Sequence, residues 1–480
     1  MTTLSAGKWV NEALAGVVTA LALVPEVISF SVISGVSPKV SLIASVVLCL
    51  TLSILGGRPA MVTAAAGSVA LVVGPMVRSH GLAYLLPAIL LCGVIQIIFG
   101  MAGFAKMMRY IPRSVMTGFV NALGLLILMA QLPHIIGHQL LLYPLFALTV
   151  LIVVFFPRLT TRLPAPLIAV VAITLLVWFG GIAIPTVGDE GMMTPGLPDW
   201  NRLSVPLNLE TLGIVFPTAL SMALVGLMET LLTAKLVDAM TDSQSDKTRE
   251  SWALGVGNLL AGFYGGVAGC AMIGQTMVNV ELGRARTRLS TLIAGIVLLL
   301  LVTVLSDVMA RIPMVVLAGI MVVVSLKTID WHSVRPATLK KMPVSESFIM
   351  LLCVGVTVFT SNLALGVVVG SVMAMLLFAR RVSHVINVTR LLEPLAPRVR
   401  YRVEGPLFFA SSNDLYTCFS YHDDPPEVEI DFSHATIWDA STVAALDAIC
   451  TQYQGLDKRV HLTGLDSQSQ YFHQTLSEYN

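Results

Sequence analysis

Charge is what this chain has least of: Asp, Glu, Lys and Arg make up 12% of its 480 residues, about half the ~25% usual in soluble domains. With 56% hydrophobic residues besides, it cannot cover a water-facing surface and reads as an integral membrane protein. A formal net charge of +1, with no basic tract, excludes an electrostatic case for nucleic acid. The cysteines Cys49, Cys92, Cys270, Cys353, Cys418 and Cys450 never form the close pairs of a zinc or redox motif and stand as small apolar fillers. No cofactor is indicated, and the chain is not expected to be an enzyme. The first twelve residues lack the pattern of a removed signal peptide, because their apolar run continues into a full span, so the first span is expected to stay.

What is present is a series of apolar runs of the ~20-residue length that crosses a bilayer. They predict about fourteen spans, near 13–33, 39–55, 62–77, 84–104, 112–132, 140–156, 165–184, 212–235, 252–266, 270–281, 288–307, 313–327, 346–361 and 363–380. Residues 1–385 then form a transmembrane domain and 386–480 a cytoplasmic one. Lys106, Arg109 and Arg113, then Arg158 and Arg162, Arg284, Arg286 and Arg288, Lys327, Arg335, Lys340 and Lys341, and Arg380 and Arg381 fall on one side of this topology. The positive-inside rule makes that side cytoplasmic and places both termini there, consistent with a plasma (inner) membrane location.

Two sequence features repeat in the same order. Ile111-Pro112, Val115 and Gly118 recur as Ile312-Pro313, Val316 and Gly319, and Gly56-Gly57 recurs as Gly265-Gly266. This predicts two halves, about 10–185 and 210–382, each with about seven spans. An odd number of spans per half inverts one half relative to the other, with the substrate between them.

The stretches Thr63 to Val69 and Tyr264 to Gly283 are short and rich in small residues. They read as half-helices that meet near the midplane, beginning near Ala65-Ala66-Gly67-Ser68 and Ile273-Gly274-Gln275-Thr276. Helix starts offer free backbone N–H groups and the positive end of the helix dipole to an anion without any cationic side chain. Ser68, Gln275 and Thr276 can add side-chain donors, although hydroxyls in membrane helices often bond their own backbone.

Glu26 and Glu229 lie inside spans, 203 positions apart (229 − 26), where an ionisable group is a functional candidate by default. Glu229 and Thr233 share a helix face; together they can coordinate sodium, and the carboxyl alone can carry a proton. Both readings stay open. Pro25 is expected to break its helix beside Glu26, and Phe30, one turn on, to wall the pocket. After the last span, GPLFFASS, EVEIDFS and KRVHLTG read as strands and STVAALDAICTQYQ as a helix, giving a small α/β unit with a mostly parallel sheet.

These residues resemble the sulfate permease (SulP) family of anion transporters, whose animal members include prestin and pendrin. The likeness runs through PEVISFS, GLMETLLTAKLVD, GGVAGCAMIGQTMVN and RTRLS, and the tail resembles a STAS domain through FFASS, EIDFSHATIWDAS and VHLTG. The resemblance implies an α-helical membrane protein of 7+7 inverted spans with two half-helices at the midplane, in core and gate domains that work as an elevator. It also implies a homodimer, and cytoplasmic protein partners for the tail. Position by position, it makes Glu26 and Phe30 pocket residues, Glu229 and Thr233 the sodium-ligand pair, and Ala66 to Ser68 with Met272 to Gly274 the anion-binding backbone.

Two positions depart from the family pattern: Gln275 stands where many members have Arg, and Glu26 where they have Gln. The pocket is thereby less positive, which favours symport of the anion with a proton or sodium ion over plain exchange. Ser441 aligns with the phosphorylated Ser of bacterial STAS regulators and is read as a helix N-cap. Competing readings are a STAS scaffold without transport and an uncoupled anion channel; nucleobase transport is disfavoured by the tail. Sulfate, bicarbonate and a dicarboxylate all remain open as the anion, because backbone donors accept many oxyanions.

Overall fold

The computed structural model describes residues 6–477 apart from 192, 198, 265 and 395. It divides into two compact units, one up to Ser371 and one from Val372. The Gly265 of the repeated Gly-Gly pair lies outside the described residues.

The first unit opens with α1 (Ala6–Ser34) and α2 (Pro38–Leu55), followed by a three-residue strand β1 (Thr63–Ala65) that feeds α3 (Gly67–His80). Helices α4 (Leu85–Met101), α5 (Arg113–Ile135), α6 (Leu142–Phe155) and α7 (Ala165–Phe179) follow. Then come α8 (Leu209–Thr241), α9 (Lys247–Gly262), strand β2 (Gly269–Ala271) and the short α10 (Ile273–Met277), which runs on into a π turn (Val278–Leu282). Helices α11 (Arg288–Val304), α12 (Met314–Thr328) and α13 (Val344–Thr360) follow, and α14 (Leu363–Ser383) holds the boundary at which the second unit begins. Among the described residues, six helices are long and apolar enough to cross a membrane. The repeated Ile-Pro has a local role: Pro112 and Pro313 sit at the starts of α5 and α12, where the missing N–H would have had no helical partner.

Two packing groups appear within this unit. Helices α1 to α4 pack with α8 to α11, and α5 to α7 pack with α12 and α13. At the centre of the first group β1 and β2 pair antiparallel, with Thr63 opposite Ala271, Ala64 opposite Cys270 and Ala65 opposite Gly269. Each small-residue stretch enters as extended chain, and the helices begin at Gly67 and Ile273, within the starts expected from sequence. Small residues are required by the approach of the two backbones. A Cβ on Gly269 would lie 2.2 Å from the Ala64 carbonyl oxygen, far inside contact distance.

A two-stranded ribbon leaves its outer edges unpaired, which is costly away from water. Neighbouring helices supply the partners. On the β1 edge, Ser45 accepts from the Ala65 N–H (3.1 Å) and the Cys49 thiol donates to the Thr63 carbonyl (3.2 Å). On the β2 edge, the Asn258 amide accepts from the Gly269 N–H (2.8 Å) and donates to its carbonyl (3.1 Å), while Thr230 accepts from the Ala271 N–H (3.0 Å). Asn258, Thr230 and Ser45 are all fully buried. Two turns of chain join the system at its other end: Thr276 accepts from the Val62 N–H (3.0 Å), and the Met272 N–H donates to the Val62 carbonyl (2.9 Å).

Pro25 does not break α1, which runs unbroken from Ala6 to Ser34. The ring removes the N–H that would have bonded the Leu21 carbonyl, and the Ser29 hydroxyl makes a local back-bond to the Pro25 carbonyl at 2.8 Å.

The second unit is built on a four-stranded sheet in the order β3 (Asn387–Leu392), β4 (Arg398–Leu407), β5 (Glu427–Ile437), β6 (Arg459–Thr463). The β3–β4 pair is antiparallel and the other two are parallel. Helices α15 (Phe409–Leu415), α16 (Ala440–Gln454) and α17 (Ser467–Leu476) accompany it. Val399, Tyr401 and Val403 alternate into a core with Phe432 and Leu446. The buried Asp424 carboxylate accepts from the hydroxyls of Tyr401 and Tyr453, both at 2.6 Å, and from Arg390 Nε at 2.8 Å. Burial, and then the neighbouring Asp424, push the Tyr401 hydroxyl above its ordinary value.

Two readings of the tail are corrected. The strand in GPLFFASS stops at Leu407, and FASS forms the first turn of α15. The N-cap of α16 is Asp439, not Ser441: its carboxylate accepts from the Thr442 N–H at 3.1 Å.

Replacing Asn258 by Leu leaves both polar groups of Gly269 unpaired in a dry interior, a cost of roughly 1–3 kcal/mol for each. The expected result is a clear fall in the melting temperature of the purified protein in detergent; an unchanged melting curve would contradict the edge-pairing role.

Candidate functional site

The first turn of each short helix is where unpaired donors collect. Ala66 and Met272 are the N-cap residues of α3 and α10; both are extended, and neither offers a side-chain cap. The helical ladders start with the Ala70 N–H to Ala66 (2.9 Å) and the Thr276 N–H to Met272 (3.0 Å). The N–H groups of residues 67–69 and 273–275 therefore precede both ladders.

These two helix starts line one cavity of about 340 Å³. Ala66, Gly67 and Ser68 contribute from α3, and Met272, Ile273, Gly274 and Gln275 from α10. Glu26 and Phe30 of α1 and Glu229 of α8 join them. The structure thus brings ten of the residues selected from sequence around one space, while Thr276 and Thr233 do not line it. Thr233 is fully buried, does not line the cavity, and donates its hydroxyl to the Glu229 carbonyl at 2.7 Å.

Phe30 packs against α3 where the chain has no side chain: a Cβ on Gly67 would lie 2.6 Å from the Phe30 ring. Gly274 is different, since a Cβ there would meet nothing within 4 Å. Its missing side chain leaves open room at the start of α10.

The Glu229 carboxyl, 7% exposed, is fixed from behind. The Ser68 hydroxyl donates to Oε2 through a short hydrogen bond, and the Cys270 thiol donates to the same oxygen at 3.2 Å. Among the described residues, no hydrogen bond engages Oε1. Gln275 is the hydrogen-bond partner of Glu26.

The opposite wall belongs to the other packing group. Val120, Leu123 and Ile127 of α5 give it an apolar face, and Val324, Lys327 and Thr328 come from the last turns of α12. Lys327 is exposed and forms no ion pair among the described residues. Sequence reasoning missed its placement by grouping it with the loop cations Arg335, Lys340 and Lys341. The available signal was its position at the very end of an apolar span, where a long side chain can reach back from the helix end.

A family model, the Sulfate permease family, matches residues 10–143 and 140–353. The chain belongs to the sulfate permease family. It is 43% identical over 459 residues to the protein named "Putative sulfate transporter YbaR" of Bacillus subtilis (strain 168), covering 96% of this chain and 95% of that one. Its fold resembles that of the murine Slc26a9 anion transporter in an inward-facing state, with a TM-score of 0.84, 18% identity, and coverage of 97% and 87% of the two chains. It also resembles the transmembrane domain of a cyanobacterium bicarbonate transporter, BicA, with a TM-score of 0.66, 24% identity, and coverage of 77% and 98%.

The surroundings of the two glycines make opposite expectations. Gly67→Val must displace the Phe30 ring and should lower the melting temperature, whereas Gly274→Val enters open space and should leave it unchanged. Equal effects in thermal unfolding would contradict the geometry.

Proposed function

We propose that the protein is a secondary transporter of a small anion, coupled to protons. The observation that carries this reading is the meeting of two unpaired helix starts at a single cavity beside Glu229. Helix starts attract an anion in a region where a free charge is expensive, and Lys327 adds a cation at the rim. Family membership and the anion-transporter relatives support the same direction.

Proton coupling is favoured over sodium by how the oxygens are used. Oε2 of Glu229 already accepts from two donors. The Thr233 hydroxyl is engaged with its own helix, and the Thr276 oxygen accepts from Val62. A sodium ion would need these oxygens to converge on it. Protonation of Glu229 needs only the free Oε1, and it turns an acceptor that repels the anion into a donor that binds it.

The remaining features of the reading follow the family pattern. The antiparallel ribbon between β1 and β2 supports two inverted halves of seven spans each. The division into two packing groups supports an elevator in which the group carrying both short helices moves against the group carrying Lys327. We assign both termini to the cytoplasm of a plasma (inner) membrane, a dimeric assembly, and a STAS-type tail that engages cytoplasmic proteins.

In proteoliposomes, an inward proton gradient should accelerate anion uptake and a sodium gradient should not. Glu229→Gln should reduce uptake by at least about tenfold, equivalent to ~1.4 kcal/mol, and abolish its response to pH. Sodium-driven uptake that ignores pH would overturn the coupling assignment.

A further inference from the structure

Gln275 has a feature that proton-coupled anion transport does not use. Its side chain is 2% exposed and lines the cavity, and its Oε1 is buried without any hydrogen-bond partner. A buried carbonyl left unpaired is unfavourable. In the orientation observed, the Gln275 amide nitrogen is the group that engages Glu26, which leaves the oxygen as the group without a partner. The unmet requirement is for a donor, and among the described residues none reaches it.

The cavity therefore has two kinds of polar wall. Donors are the backbone N–H groups at the starts of α3 and α10, with Lys327 at the rim. Acceptors are Gln275 Oε1 and the Glu26 carboxyl, while Oε1 of Glu229 becomes a donor once it is protonated. A fully deprotonated dianion brings acceptors only. It would satisfy the donors and leave Gln275 unpaired. An oxyanion that keeps one O–H satisfies both walls: its charged oxygens meet the helix starts and its hydroxyl donates to Gln275 Oε1. A site built to hydrogen-bond a ligand hydroxyl discriminates strongly against an analogue that lacks it, because its buried polar groups are then unpaired.

We propose that Gln275 is a specificity-determining residue that selects a monovalent oxyanion carrying its own hydroxyl, of the hydrogencarbonate or half-protonated dicarboxylate kind, over a dianion such as sulfate. This rests on the transport reading. It assigns to Gln275 a role opposite in sign to that of an arginine at the same place, which would offer donors and positive charge and no acceptor.

The test uses the full chain in proteoliposomes at fixed pH, with labelled hydrogencarbonate and labelled succinate as separate probes. Competition is measured with sulfate and with formate, which has the charge and carboxylate group of hydrogencarbonate but a hydrogen in place of its O–H. At least one hydroxyl-bearing probe should accumulate, and sulfate and formate should each compete at least about tenfold more weakly, a difference of ~1.4 kcal/mol. The probe that accumulates tells hydrogencarbonate from dicarboxylate. Gln275→Met, close in shape but without an acceptor, should bring the ratio between the hydroxyl-bearing anion and formate near one. Gln275→Arg should move the preference to sulfate.

Sulfate or formate handled by the unaltered protein as well as the hydroxyl-bearing anion would overturn the inference, and that comparison does not depend on any variant folding. Full discrimination by Gln275→Met would overturn it too. In both cases the flux itself would leave anion transport standing. Absence of flux with every anion would instead overturn the transport reading, and this inference with it.

Discussion

Backbone polar groups cannot be left unpaired inside a membrane, and that constraint shapes the centre of this protein. Two segments of the chain must stop being helical so that two helix starts can face one space. The price is a ribbon whose outer edges have no strand to pair with. Asn258, Thr230, Ser45 and Cys49 supply the missing partners from α9, α8 and α2. The first-turn N–H groups of α3 and α10 precede their helical ladders, and Gly67, Ser68, Ile273, Gly274 and Gln275 of these turns line the cavity.

The same logic explains why the site has two faces of different character. The ribbon, both helix starts, Glu26 and Glu229 belong to one packing group, where side chains and backbone are tied by hydrogen bonds. The opposing face of α5 and α12 offers apolar side chains and a single unpaired cation. Contacts of that second kind are non-directional, and can be made and broken without leaving an orphaned polar group. A site fixed on one body and covered by a slippery wall on the other suits a mechanism in which the two bodies move.

Much of this arrangement was legible in the chain, for physical reasons that can be named. Glu26 and Glu229 stand out because charge is rare in apolar spans, and Gly67 and Gly274 because runs of small residues interrupt long side chains. What could not be read was how each interruption is built. A stretch such as Thr63 to Val69 has the same composition whether it begins a helix or pairs as a strand, and the choice is made by a partner some two hundred residues away. Asn258 looked like one polar residue in a long helix, and its role exists only because Gly269 lies against it. Lys327 was counted with loop cations because sequence records its neighbours and not the wall it completes. In the tail, the strand was read past Leu407 because FFASS has strand-like residues, while the Ser411 hydroxyl accepts from the Phe408 N–H and turns the chain into a helix.

The sequence by itself determined that the chain lives in a bilayer and which few residues stand out as candidates for chemistry, because the cost of burying charge and breaking apolar runs leaves a mark at each position taken alone. Only the tertiary structure decided that β1 and β2 pair, that ten chosen residues share one cavity while Thr233 stays behind it, and that Gln275 keeps an oxygen with nothing to bind. Pairing, enclosure and an unmet hydrogen bond are relations between distant segments, and no single position in a sequence records them.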